Sequence, residues 1–126
     1  MKKLLLPALV LLANCSTDSD PAHVAVSNYI KKNLDDPASY QSVRWGQSAP
    51  FYRSDSANLA AMALMKSNIR QEREQGYRLV EGPGKDTTTQ IGSRVMHAYR
   101  AKNKLGALVL DSTQFVIYKT GAVGSL

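Results

Sequence analysis

From Ala22 to Leu34 the apolar residues recur at the spacing of one helix face. Ala22, Val26, Tyr29, Ile30 and Leu34 line up, while Asn28, Lys31 and Lys32 point away. Asp20 is a good N-cap and Pro21 suits the first helical position. Asp35-Asp36-Pro37 ends the run, because a residue before proline avoids the helical region. The period then changes. Tyr40 to Phe51 predicts a first strand, with Val43 and Trp45 on one face and Ser42, Arg44 and Gly46 on the other. Pro50 limits how far that strand extends inside a sheet. Ser54 to Gln75 predicts a second helix. Ala57, Ala60, Ala61 and Ala63 favour the helical state. Leu59, Met62, Met65 and Ile69 make its apolar stripe, and Gly76 is read as its C-terminal stop.

Tyr77 to Glu81 reads as a short strand and Gly82 to Asp86 as a loop. The clearest alternation follows. Val95, His97, Tyr99 and Ala101 share one face of a strand over Arg94 to Lys102, and Met96, Ala98, Arg100 and Lys102 share the other. Asn103 to Gly106 turns the chain, and Asn103 is read as the residue at positive φ. Ala107 to Lys119 returns as a long strand, with a bulge expected at Asp111-Ser112-Thr113. Thr120-Gly121 is a second turn, and Ala122 to Leu126 a short tail. A helix must bury its stripe, and a two-stranded ribbon alone is marginal. The predicted fold is therefore α+β. An antiparallel sheet of three to four strands carries the N-terminal helix on one face, with the second helix between strands 1 and 2.

The start of the chain has another character. Lys2 and Lys3 precede ten uncharged residues, Leu4 to Ala13, and Leu12-Ala13-Asn14-Cys15 closes the segment. Such a run is too short for a bilayer, which takes about 20 apolar residues, and it contains Pro7. Its order is that of an export signal. Leu12-Ala13-x-Cys15 resembles the bacterial lipobox, although Asn14 stands where that pattern prefers Gly or Ala. The resemblance implies cleavage before Cys15 and acylation of its thiol. The expected organisation is a signal peptide over 1–14, a lipidated tether over 15–20 and a single domain over 21–126. Ser16 after the cysteine, in place of Asp, leans toward the outer membrane. The chain has 126 residues, a formal charge of +6 and one cysteine. Internal disulfides are thereby excluded. Losing Lys2 and Lys3 with the leader lowers the charge to +4, a mild excess that suits an anionic envelope environment.

No catalytic residue, cofactor or metal is predicted. Gly82-Pro83-Gly84-Lys85 lacks the first Gly and the final Ser or Thr of a phosphate loop. His23 and His97 are the only histidines, on different elements, and zinc wants three or four ligands. No serine sits in a Gly-x-Ser-x-Gly turn. Arg94, Arg100, Lys102 and Lys104 cluster around the hairpin, and Tyr99, Arg100, Lys102 and Asn103 form the candidate binding surface. The expected partners are the membrane, through the anchor, and an envelope protein or anionic polymer, with no nucleic acid. The competing expectation is a small ligand-pocket or hydrolase-like protein whose site would be assembled from His97, Tyr99, Arg100 and Asp111.

Two segments also resemble known sequences. Leu34-Asp35-Asp36-Pro37-Ala38-Ser39-Tyr40 and Tyr99-Arg100-Ala101-Lys102-Asn103-Lys104-Leu105-Gly106 are similar to segments found together in small uncharacterised bacterial exported proteins and lipoproteins. Those proteins end a helix in Asp-Pro-x-Ser-Tyr and carry Tyr-Arg-Ala-Lys-Asn on a hairpin. Their turn often has an aromatic residue where this chain has Leu105, and a further Gly where it has Ala107. The resemblance implies export and brings no activity with it.

Overall fold

A computed structural model describes residues 20–126 of the chain. The leader and Cys15, with the cleavage and acylation expected of them, lie outside the described residues. The class is α+β; the described residues form an antiparallel sheet of five strands and three α-helices.

Helix α1 spans Pro21–Asn33. It begins where the sequence predicts, because Asp20 Oδ1 accepts the Ala22 N–H at 2.9 Å. Val26 and Ile30 are buried against Val95 and Phe115, and Tyr29, Leu34 and Tyr99 pack around that cluster. The main core therefore lies between α1 and one face of the sheet. After a 3₁₀ turn at Pro37–Ser39, the chain enters β1, Gln41–Trp45, and then β2, Ala49–Tyr52. The single strand expected over 40–51 is thus two. Both pair with the long strand β3, Gln90–Lys102, one beyond the other along the same side. On its other side β3 pairs with β4, Leu108–Tyr118, and β4 with β5, Val123–Ser125. The predicted tail thus contributes a fifth strand.

The bulge lies elsewhere than expected. The β3–β4 register runs unbroken from Gly92↔Tyr118 to Lys102↔Leu108, straight through Asp111–Thr113. Asp111 is held in register because its carboxylate accepts the Tyr99 hydroxyl across the pair. Register shifts occur instead in the β1–β3 pair, between Ser42 and Arg44, and in the β2–β3 pair, between Phe51 and Tyr52. Val43 is the extra residue and is left exposed, while Trp45 turns inward.

Helix 2 is also corrected. It divides into α2, Arg53–Met65, and α3, Arg70–Glu81. Ser67 breaks it by accepting the Ile69 N–H on its hydroxyl, a local bond that competes with helix propagation. Tyr77 to Glu81 is consequently helical, not a strand. The stop falls at Gly82, before Pro83, while Gly76 sits inside α3. A Cβ on Gly76 would stand 3.1 Å from the Ala61 carbonyl. The two helices meet through such small residues, and Ala57 and Ala61 are buried. Of the predicted stripe, Leu59, Met62 and Ile69 face solvent instead, while Met65 is half-buried against Gly76. No helix among the described residues is long and apolar enough to cross a membrane.

Side chains alternate between the two faces of the sheet. In β3, Val95, His97, Tyr99 and Ala101 face α1, with Phe115, Thr113, Asp111 and Val109 opposite them in β4. Arg100 and Lys102 lie on the reverse face, opposite Leu110 and Leu108.

Candidate functional site

The far half of the β3–β4 hairpin extends past the core. Its turn depends on Asn103, whose side-chain Oδ1 accepts the Leu105 and Ala107 N–H groups, each at 3.0 Å. Positive φ is taken by Gly106 at 80°, not by Asn103, which does its work through hydrogen bonds. Leu105 at the tip is 92 % exposed, and Leu108, Val109 and Leu110 beside it are also exposed. On the reverse face Leu108 and Leu110 are left in water opposite Lys102 and Arg100, while Val109 is exposed on the α1 face. A contiguous set of that kind marks a contact surface more often than chance exposure does.

The structure divides the predicted binding residues. Tyr99 and Arg100 are neighbours in a strand, so they occupy opposite faces. Arg100 and Lys102 share the reverse face, as predicted. Tyr99 instead borders an open cleft of about 340 Å³ that also touches Tyr29, Asn33, Leu34 and Asp111. Leu34, Tyr99 and Asp111 also line an adjoining hollow beside Asn103. The two form one groove between the end of α1 and the hairpin.

Two polar arrangements lie under this groove. His97 is fully buried. Its Nδ1 stands 3.0 Å from the Arg44 carbonyl, which can only accept, so Nδ1 carries the proton. In the neutral ring Nε2 then accepts from the Tyr40 hydroxyl at 2.8 Å, and the Ser27 hydroxyl, 3.0 Å away, donates to Tyr40. The ring is stacked on Trp45 at 3.5 Å, and Trp45 on His23 at 4.0 Å. His97 thus works as a clamp joining α1, β1 and β3. The second arrangement is Tyr99 with Asp111, at 3.0 Å. Burial, then the hydrogen bond to the Asp111 carboxylate, pushes the Tyr99 phenol up to about 12. A phenol held that high neither gives nor takes a proton readily near neutral pH.

The sign of that shift yields a prediction. The folded value lies above the ordinary 10.0, so the stabilising contribution is complete below pH 10 and is lost as pH rises through about 12. In ¹³C-tyrosine NMR titrations, the Tyr99 resonance is expected to hold past pH 10 and move near 12. In Asp111→Asn its midpoint is expected to fall toward 10. An unchanged midpoint would show that Asp111 has no part in the shift.

The two segments carrying the family resemblance meet here. Ser39 Oγ donates to the Asp36 carbonyl at 2.7 Å and accepts the Lys102 N–H at 2.9 Å. Gln41 pairs with Arg100, and the Tyr40 and Tyr99 rings lie 5.9 Å apart. Asp-Pro-x-Ser-Tyr and Tyr-Arg-Ala-Lys-Asn are therefore two halves of one joint, which fixes the root of the hairpin. Sequence reasoning missed the roles of Asn33 and Ser39 around this joint and groove, and named Asp111 as a pocket residue without its bond to Tyr99. The co-occurrence of the two segments was the signal that could have found Ser39.

At the loop before β3, Asp86 is held well below the carboxylate range, at about 2, mainly by the Thr89 hydroxyl and backbone N–H. Its carbonyl accepts the Ser54 N–H. The Gly82–Asp86 segment is thus a brace for the start of α2. Among the described residues no three His, Cys, Asp or Glu side chains gather where they could hold a metal ion. Comparison with family models, with curated proteins and with solved structures found no match.

Proposed function

We propose that this chain is a lipid-anchored protein of the bacterial envelope, outer membrane in preference to inner, whose domain binds another macromolecule and carries out no chemistry of its own. The leader and its cysteine support the anchor. One observation carries the binding reading: Leu105, Leu108, Val109 and Leu110 stand exposed together at the end of the hairpin, beside three cations. The groove favours this reading over a hydrolase. Tyr99 is committed to Asp111, and His97 is buried within its own hydrogen bonds. Neither is presented to a substrate as an acid or base.

Two measurements test the proposal. Intact-mass spectrometry of protein from its own host is expected to find an N-terminal, acylated Cys15; an unprocessed start or a bare thiol overturns the anchor. A photo-crosslinking residue at position 105 is expected to give a discrete adduct in the envelope that weakens in Arg100→Ala/Lys102→Ala. The same residue at position 81, on α3, is expected to give none. Equal adducts from both positions, or none from 105, overturn the binding surface.

A further inference from the structure

We propose that the outer edge of β4, from Leu108 to Ser112, is a strand-addition site for an extended, acidic segment of another polypeptide. This inference rests on the reading of the hairpin as a binding surface and names the kind of partner it takes.

In an antiparallel ladder, alternate residues point their N–H and C=O groups to opposite neighbours. Asn103 N–H bonds the Ala107 carbonyl, and Lys119 N–H the Ile91 carbonyl. Odd-numbered residues of β4 therefore face β3. Tyr118 N–H bonds the Ala122 carbonyl, and Leu126 N–H bonds the Gln114 carbonyl. Even-numbered residues therefore face outward. Strand β5 occupies that side only opposite Phe115–Ile117. Beyond Gln114, the outward groups of Leu108 and Leu110 have no partner among the described residues. At Ser112 the N–H is taken by the Asp111 carboxylate at 2.7 Å, leaving the carbonyl.

Unpaired edges are ordinarily blunted by proline, lysine or a bulge. Leu108-Val109-Leu110-Asp111-Ser112 contains no proline or lysine, and its register with β3 is regular. Over Leu108 to Leu110 the edge is also apolar on both sides, since all three are exposed, and the one charge, Asp111, is held by Tyr99 on the α1 face. An added extended strand would pair the whole row at once, in place of water.

Charge decides what that backbone carries. An added strand would lie roughly 10 Å from β3, two inter-strand spacings away. Arg100 and Lys102, directly opposite Leu110 and Leu108, reach across that distance on the reverse face. Acidic side chains on that face of the added strand would meet them. A second copy of this chain fits worse, because pairing β4 with β4 would bring two sets of Arg100, Lys102 and Lys104 onto one sheet.

The test uses ¹⁵N-labelled protein and two synthetic peptides, (Val-Glu)₄ and (Val-Lys)₄, which present one charged and one apolar face when extended. Only (Val-Glu)₄ is expected to slow amide exchange at Leu108 and Leu110. Proline at an edge is tolerated where its missing N–H faced solvent. Leu110→Pro should therefore keep the fold, checked by its thermal melt, and lose roughly tenfold or more in peptide affinity. Arg100→Glu/Lys102→Glu should keep the edge and reverse the peptide preference. Absent protection, equal protection by both peptides, or protection that grows with protein concentration alone overturns the inference. If the position-105 crosslink survives in Leu110→Pro, strand addition falls while the binding reading stands. If that crosslink never forms, the binding reading itself falls.

Discussion

Ile30→Asp is expected to abolish cooperative folding. Ile30 is only 3 % exposed and packs with Val26, Val95 and Phe115, where α1 meets the sheet. The substitution removes about 2–3 kcal/mol of apolar burial. It also buries a carboxylate inside that apolar cluster, at a further cost of several kcal/mol. Domains of this size are stable by about 5–15 kcal/mol. The losses approach or exceed that margin, so a flat thermal melt by circular dichroism is the expected result. Val24→Asp, on the exposed side of the same helix, is the control. Its melt should stay within about 0.5 kcal/mol of the parent. If the two variants melt alike, α1 does not bury the face assigned to it.

Gly92→Ala should cost about 3 kcal/mol or more, although it adds a single methyl group. A Cβ at Gly92 would lie 2.4 Å from the Ile117 carbonyl oxygen and 3.0 Å from the Tyr118 Cα. Both are backbone atoms of the paired strand, so relief requires β3 and β4 to part. The register places Phe51 and Tyr118 on either side of Gly92, and their rings meet edge to face at 6.1 Å. Two aromatic neighbours close over a residue that has no side chain. For a domain near 100 residues the expected fall in Tm is on the order of 12–24 °C. Gly124→Ala is the matched control, because its Cβ would meet only the Tyr118 ring edge at 3.9 Å. Equal melting temperatures for the two variants would contradict the close approach at Gly92.

The parts of the fold legible in the sequence were those that local rules decide. Asp20-Pro21 caps α1, and Val26 and Ile30 carry its inward face as the helical period requires. The alternation of Val95, His97, Tyr99 and Ala101 identified the inner face of β3. What stayed illegible depends on partners distant in sequence. Leu59, Met62, Met65 and Ile69 form a helical stripe, yet close packing at Gly76 and Ala61 turned Ala57 and Ala61 inward. Tyr77 to Glu81 is too short for periodicity to separate strand from helix. The extra residue at Val43 is visible only once β1 is laid against β3. The candidate surface was half legible. Arg100 and Lys102 share a face by simple alternation, but Asp111 takes its place through the Tyr99 hydroxyl, a bond no spacing rule announces. Val123–Ser125 pairs with β4 although nothing in its composition marks a strand.

The stacked column of rings has an optical consequence. Trp45 is the only tryptophan of the chain. It lies between an imidazole carried by α1 and another carried by β3, with its indole N–H buried and without a hydrogen-bond partner among the described residues. The chain therefore holds a built-in fluorophore at the seam between helix and sheet. Emission excited at the indole band reports whether that seam is shut.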